Sequence, residues 1–348
     1  MITLMVLSAV LAGPFPPLTE DGKPNIQSRA AVVIDLDTGK TLYARKADEV
    51  RAIASISKVM AALVVLDKGL DLEADTRLKK EDWAAAKGGP WGRLKPGWRI
   101  NHRDLLEAAL GASDNVAVIA MGRAVGLSPK AFGKAMTAKA KALSLKHMKF
   151  REPTGLSYRN KATAREVVVL LAEAMKRPEL ADILKAPTFS IEPVGTKRRL
   201  EYRHTVRPLW GGKWVILGGK TGFNKAAKYS VVMASRLKDG RRLGMAFLGA
   251  DGKLTRFGDF GRVMHWLKEA PKGQTFKASS DKKQSARAMP KPDNQVSKGR
   301  GKRSVKTTHA RPEAGRASAK KAKARRAEAE SEPPRVRDED APPGWSNP

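Results

Sequence analysis

The apolar residues change their period twice along the chain, and that order of patterns constrains the fold more than any other feature. Arg29 to Asp35 (RAAVVID) and Thr41 to Arg45 flank a turn, Leu36-Asp37-Thr38-Gly39-Lys40, and read as a β-hairpin. From Ser55 the spacing becomes helical, carrying Val59, Met60, Leu63, Val64 and Leu66 until Gly69 stops it. A Trp- and Gly-rich loop is expected from Lys79 to Gly97, and further helices over 102–110, 115–125, 129–142, 162–175 and 178–184. Four strands follow at 197–204, 213–217, 228–234 and 243–248, then a closing helix at 256–267. Strands at both ends of a helical block predict an antiparallel sheet assembled from the two ends of one domain, with the helices against it. The expected class is α/β in the α+β sense, an antiparallel sheet flanked by helices plus a mostly helical subdomain.

The pattern ends near residue 270. From Pro271 to Pro348 there are 20 Lys+Arg and 9 Asp+Glu, a net of +11, so the first 270 residues carry 32 − 11 = +21. This stretch has almost no large apolar residues, cannot bury enough surface to offset its ordering entropy, and is expected to be a disordered basic tail. At the other end, the apolar run Ile2 to Ala12 is too short to span a bilayer. It resembles the apolar part of an export signal, with Val10-Leu11-Ala12 as a cleavage site, although no basic residues precede it. The expected organisation is a signal region and linker over 1–26, a folded domain over 27–270 and the tail over 271–348, in an exported protein of the periplasm or cell envelope.

Absent residues narrow the chemistry. With no cysteine, a thiol nucleophile and Cys-ligated metal are excluded, and no two of the five histidines stand four apart. No cofactor or metal is expected. Three segments remain. In Ile53-Ala54-Ser55-Ile56-Ser57-Lys58, Ser55 and Lys58 share one face of a first helical turn. A serine hydroxyl needs a base within hydrogen-bond reach, which a neutral lysine amine supplies. In Ser113-Asp114-Asn115, two side chains at i and i+2 of an interhelical turn can point into one cleft. Ser113 can relay a proton, and Asn115 can bind a carbonyl and steady Lys58. In Gly218-Gly219-Lys220-Thr221-Gly222, at the end of the KWVIL strand, Lys220 and Thr221 can fix a carboxylate while Gly222 admits a substrate backbone. Taken singly, each has a plain structural account as a helix cap, a cap pair and a β-turn. The Ser-x-x-Lys spacing also recurs in the tail at Ser279, Ser280 and Ser318.

Together and in this order, the three segments resemble the serine D-Ala-D-Ala carboxypeptidases and D,D-endopeptidases, the low-molecular-mass penicillin-binding proteins. The resemblance runs from about Arg29 to Ala270 and includes Arg51-Ala52-Ile53-Ala54 before the serine. It also includes Glu152-Pro153-Thr154-Gly155-Leu156 with Asn160, Phe223-Asn224 after the third motif, Leu248-Gly249-Ala250 and Arg256. The resemblance implies the serine β-lactamase/D,D-peptidase-like fold. It implies Ser55 as nucleophile, Lys58 as base, and Ser113, Asn115 and Lys220 as relay and positioning groups. It further implies Thr221, Gly222, Phe223 and Arg256 in substrate binding, with the N–H groups of Ser55 and Phe223 facing the oxyanion. The implied partners are peptidoglycan stem peptides and, as covalent inhibitors, β-lactams.

Two departures bear on substrate choice: Lys225-Ala226-Ala227-Lys228-Tyr229 replaces the family's Ala-Gly segment, and Arg203-His204-Thr205 stands where Asn-Thr-Asn is common. The absence of a second β-rich domain, together with Ser-Asp-Asn, leans toward the shorter endopeptidase-like branch. Two alternatives are a class A-like β-lactamase, for which no E-x-x-L-N loop is found, and a non-catalytic wall- or polyanion-binding protein. The tail suits anionic envelope polymers; no nucleic acid partner is expected, since no recognition motif accompanies the charge.

Overall fold

The computed structural model describes residues 16–86 and 92–269. The apolar run at 2–12 and the basic tail lie outside the described residues. The predicted hairpin forms, with strands Ala30–Asp35 and Thr41–Arg45. It joins three later strands in one five-stranded sheet ordered Thr41–Arg45, Ala30–Asp35, Arg242–Ala250, Tyr229–Arg236, Val215–Gly222. All neighbours are antiparallel, and Ala30 opposite Leu248 sets the register that joins the two ends of the chain.

Strands Ala30–Asp35 and Arg242–Ala250 are apolar apart from Asp35 and Arg242 at their ends, because both faces are covered. Ala31, Val33, Met245 and Phe247 face Phe260, Val263, Met264 and Trp266 of the closing helix Thr255–Glu269. Alternate residues Ala30, Val32, Ala246 and Leu248 join the core of the helical block. Helix Ser57–Asp67 is buried from Ser57 to Val65, as its all-round apolar sequence requires, and runs through the middle of that core. Helices Asn115–Ala124 and Pro129–Ala142 pack against it, and helix Ala164–Ala174 lies between it and the sheet.

Three expectations are corrected. The strand predicted at 197–204 is shorter, Leu200–Arg203, and pairs only with Thr188–Ile191, outside the main sheet. It offers just two inward side chains, Leu200 and Tyr202, with Tyr202 stacked on Phe189 at 5.2 Å, too little to bury a full strand. The strand predicted at 213–217 instead continues to Gly222, with Gly222 opposite Ser230. Its glycines are there for close packing, not for a turn. Within the predicted loop 79–97 a helix forms at Lys80–Ala85, its start fixed by the Asp82 carboxylate accepting from the Lys79 N–H at 2.8 Å.

Candidate active site

Ser55 sits in a single 3₁₀ turn, Ala54–Ile56, that feeds helix Ser57–Asp67, so it precedes the α-helix rather than beginning it. The turn is held from two sides by backbone without side chains. A Cβ on Gly155 would lie 2.1 Å from the Ala54 carbonyl oxygen, and one on Gly222 would lie 2.6 Å from that of Ile53. Ala54 itself adopts φ 46°, a left-handed conformation that a non-glycine residue keeps only when its surroundings enforce it. Ser55 remains half-buried and reachable from the cleft.

One turn on, the Lys58 side chain is buried, and its Nζ meets three oxygens: Ser55 Oγ at 3.0 Å, Asn115 Oδ1 at 2.7 Å and the Thr154 carbonyl at 2.5 Å. Burial pushes its pKa down to about 7, against the opposing pull of the Glu152 and Asp114 carboxylates. The partner set is informative. A neutral amine has two N–H bonds and one lone pair, and Asn115 Oδ1 and the Thr154 carbonyl can only accept. The lone pair therefore falls to Ser55, the one partner with a proton to give.

Ser113 closes a π-helical turn, Ala108–Ala112, in the left-handed conformation φ 66°, ψ 28°. Such bulges recur at functional sites because they re-aim one side chain. Here Ser113 turns to Lys220, whose Nζ donates to its Oγ at 2.8 Å, while Asn115, two residues on, reaches Lys58. The side chain expected to relay a proton is therefore bonded to Lys220, while Lys58 is bonded to Asn115. Asp114 between them caps the next helix by accepting from the Ala117 N–H at 3.0 Å.

Lys220 is fully buried and also donates to the Thr221 carbonyl at 3.1 Å. Burial, then Lys58 and Arg256, hold its pKa well below the usual lysine range. The Thr221 hydroxyl donates to Thr205 Oγ1 at 2.8 Å, so the Arg203-His204-Thr205 departure lies against the third motif. His204 is buried and accepts from the Val206 N–H through Nδ1; burial, then Lys220, push it down to about 3, leaving it neutral. Gly222 is the point where the strand meets the Ser55 turn. Phe223 is 51% exposed beside the cleft and stacks on Tyr229 at 4.3 Å. Arg256 is buried, its Nη1 donating to the Gly222 and Ser230 carbonyls at 3.1 Å each, so it braces the strand that carries Lys220 and Thr221.

Three residues of the segment that the resemblance singled out, Glu152 to Leu156 with Asn160, shape the site without a chemical role assigned to them from the sequence. Thr154 acts through its carbonyl, which any residue offers. Glu152 folds the loop by accepting from the N–H groups of Thr154, Gly155 and Ser157. Asn160, buried, donates to Ser57 Oγ and the Glu152 carbonyl and accepts from the Arg151 N–H, tying this loop to the nucleophile helix.

A buried lysine bonded to a serine, a second buried lysine at a sheet edge, and a serine and asparagine that contact them fit an acyl-transferring serine D,D-peptidase of the penicillin-binding kind. Residues 18–252 match the D-alanyl-D-alanine carboxypeptidase family, and the chain belongs to it. It is 35% identical over 278 residues to a D-alanyl-D-alanine endopeptidase of Escherichia coli, covering 76% of this chain and 88% of that one. A D-alanyl-D-alanine endopeptidase of Pseudomonas aeruginosa is 35% identical over 266 residues, covering 76% and 85%. The fold is similar to the Streptomyces K15 DD-transpeptidase, with a TM-score of 0.65 and 26% identity over 70% of this chain and 98% of that one. Among the described residues no helix is long and apolar enough to cross a membrane.

Proposed function

We propose that the protein cleaves D-Ala-containing cross-links of peptidoglycan as a D,D-endopeptidase, with Ser55 as nucleophile. The observation that carries this reading is Lys58 Nζ at 3.0 Å from Ser55 Oγ with a pKa near neutrality. Ser55 Oγ attacks the D-Ala carbonyl carbon as its proton passes to Lys58. The oxyanion is met by the N–H groups of Ser55 and Phe223. As the C–N bond breaks, Ser113 gives its proton to the departing amine and is reprotonated with the proton that Lys58 took. Water then attacks the ester, passing a proton to Lys58, which returns it to Ser55 Oγ as the acid is released. Lys220, Thr221 and Thr205 hold the carboxylate of the leaving residue, and Arg256 keeps their strand in place. The two endopeptidase relatives favour cross-link cleavage over trimming of free stems.

A class A-like β-lactamase needs a free carboxylate that acts as base toward the deacylating water. Of the two carboxylates near Lys58, Glu152 is occupied by three backbone N–H groups and the Thr154 hydroxyl, and Asp114 caps the next helix through the Ala117 N–H. A β-lactam should therefore stay on the enzyme. Incubation with fluorescent penicillin and mass mapping should place one adduct on Ser55 and none on the Ser55→Ala protein. Label on Ser57, whose buried hydroxyl accepts from Asn160, or on Ser113 would overturn the assignment.

The same reading gives residues 1–26 the role of an export region and linker, and the tail from Pro271 that of an electrostatic tether to anionic envelope polymers. Removing the tail should weaken sedimentation with isolated sacculi at low salt, and the difference should vanish as salt rises. Equal, salt-insensitive sedimentation of both forms would rule the tether out.

A further inference from the structure

Next to the carboxylate-holding threonines lies a group of cations that the steps above do not use. The Arg203 and Arg207 guanidiniums stand 5.7 and 5.6 Å from the ring centre of Trp210, which is 41% exposed. Trp210 is anchored, its Nε1 donating to the His204 carbonyl at 2.8 Å, and the following residue, Thr205, is the one bonded to Thr221. The whole group is therefore fixed relative to the third motif. Arg207 also comes close enough to Arg256 to disfavour its charge: burial first, then Arg207, outweigh Tyr229 and bring Arg256 down to about 10.

The charges on this rim are uncompensated. Arg199, nearby in sequence, spends its fork on Glu192 and Glu201, and Arg99, Arg123, Arg165, Arg241 and Arg242 each hold an aspartate. Among the described residues neither Arg203 nor Arg207 meets a carboxylate. An aromatic platform orders an arginine without neutralising it, and the planar fork then remains available to a carboxylate from outside.

We propose that Arg203, Arg207 and Trp210 form a subsite for a second carboxylate on the leaving side of the scissile bond, selecting cross-linked stems over free D-Ala ends. The inference rests on the function proposed above. When a free D-Ala-D-Ala end is cut, the leaving group is one amino acid, and its single carboxylate is taken at Thr221. When a cross-link is cut, the departing amine belongs to a diamino acid whose chain continues into further residues with further carboxylates. Those extend past Thr221 and Thr205, toward the arginines.

The test compares kcat/KM for a cross-linked muropeptide dimer and a pentapeptide monomer, using the full chain. The dimer-to-monomer ratio should favour the dimer in the wild type and fall about tenfold in Arg203→Gln/Arg207→Gln, the loss expected of a charge-assisted contact. Trp210→Leu should lower the same ratio. Without any variant, dimer cleavage should weaken more steeply with salt than monomer cleavage, because it uses more charge. A ratio unchanged by the variants, an equal loss on both substrates, or parallel salt curves would overturn the subsite. Wild-type protein that takes the penicillin label and prefers the dimer, but whose ratio the variants leave unchanged, overturns this inference alone. Wild-type protein that takes the label yet prefers the monomer overturns the endopeptidase reading and the subsite with it. Wild-type protein that takes no label overturns the underlying function and the subsite with it.

Discussion

The acylation rate should follow the proton on Lys58. Its pKa of about 7 leaves the amine free half the time at pH 7, whereas a lysine at 10.5 would be free about once in ~3,000. The sign follows from the partners: the neutral amine takes the Ser55 proton and the ammonium cannot, so the rate rises with pH. Below pH 7 it should climb about tenfold per pH unit, making pH 5 about fiftyfold slower than pH 7. Between pH 7 and 9 it should gain only about twofold before levelling. Stopped-flow acylation with fluorescent penicillin over pH 5–9 measures this directly. Lys58→Arg places a permanently charged group at the same spot and should slow acylation by ~10³ or more. A rate still rising tenfold between pH 8 and 9 would show that burial does not tune this lysine. Appreciable acylation by Lys58→Arg with the same pH profile would assign the base elsewhere.

Three further outcomes are expected. Asn160→Ala removes a buried amide bonded to Ser57, Glu152 and Arg151, strands several buried groups, and should cost about 2–4 kcal/mol in urea melts; a loss under about 1 kcal/mol would mean the loop stands without it. Gly155→Ala puts a Cβ against the Ala54 carbonyl at φ +90° and should cost about 2–4 kcal/mol while slowing penicillin acylation, so unchanged melting and acylation would refute the packing argument. A substrate carboxylate supplies the anion that Lys220 lacks, so peptide binding to Ser55→Ala protein should take up a proton. Titration calorimetry in buffers of different ionisation heat reads that uptake, and a buffer-independent enthalpy would exclude it.

What could be read in the sequence was what the reaction demands of side chains. Ser55, Lys58, Ser113, Asn115, Lys220 and Thr221 are needed by chemical type, so their spacing survives as a pattern, and the structure brings all six to one cleft. Thr154 serves through a carbonyl, which leaves no trace in residue type, and Thr205 lends a hydroxyl whose use only its contact with Thr221 reveals. For the fold, continuous apolar runs placed the central strands, because both of their faces are packed. The pattern failed at Gly218–Gly222, where small residues serve contact with the Ser55 turn and resemble a loop by composition. At Leu200–Arg203 the expected strand exists, but its short length and its pairing with Thr188–Ile191 outside the main sheet were not legible in the pattern.

The grip of Gly155 and Gly222 on the Ser55 turn also governs when reactivity appears. These contacts join segments far apart in the chain, and such contacts form late because their loop closure must come first. Until the helical block and the last strands have both closed on residues 53–56, Ser55 is an ordinary alcohol beside a solvated, fully charged lysine. Reactivity therefore switches on with the final cooperative step of folding rather than accumulating along it. Penicillin labelling thus counts completed molecules, and in an unfolding titration it should vanish together with the last protected amides of the sheet.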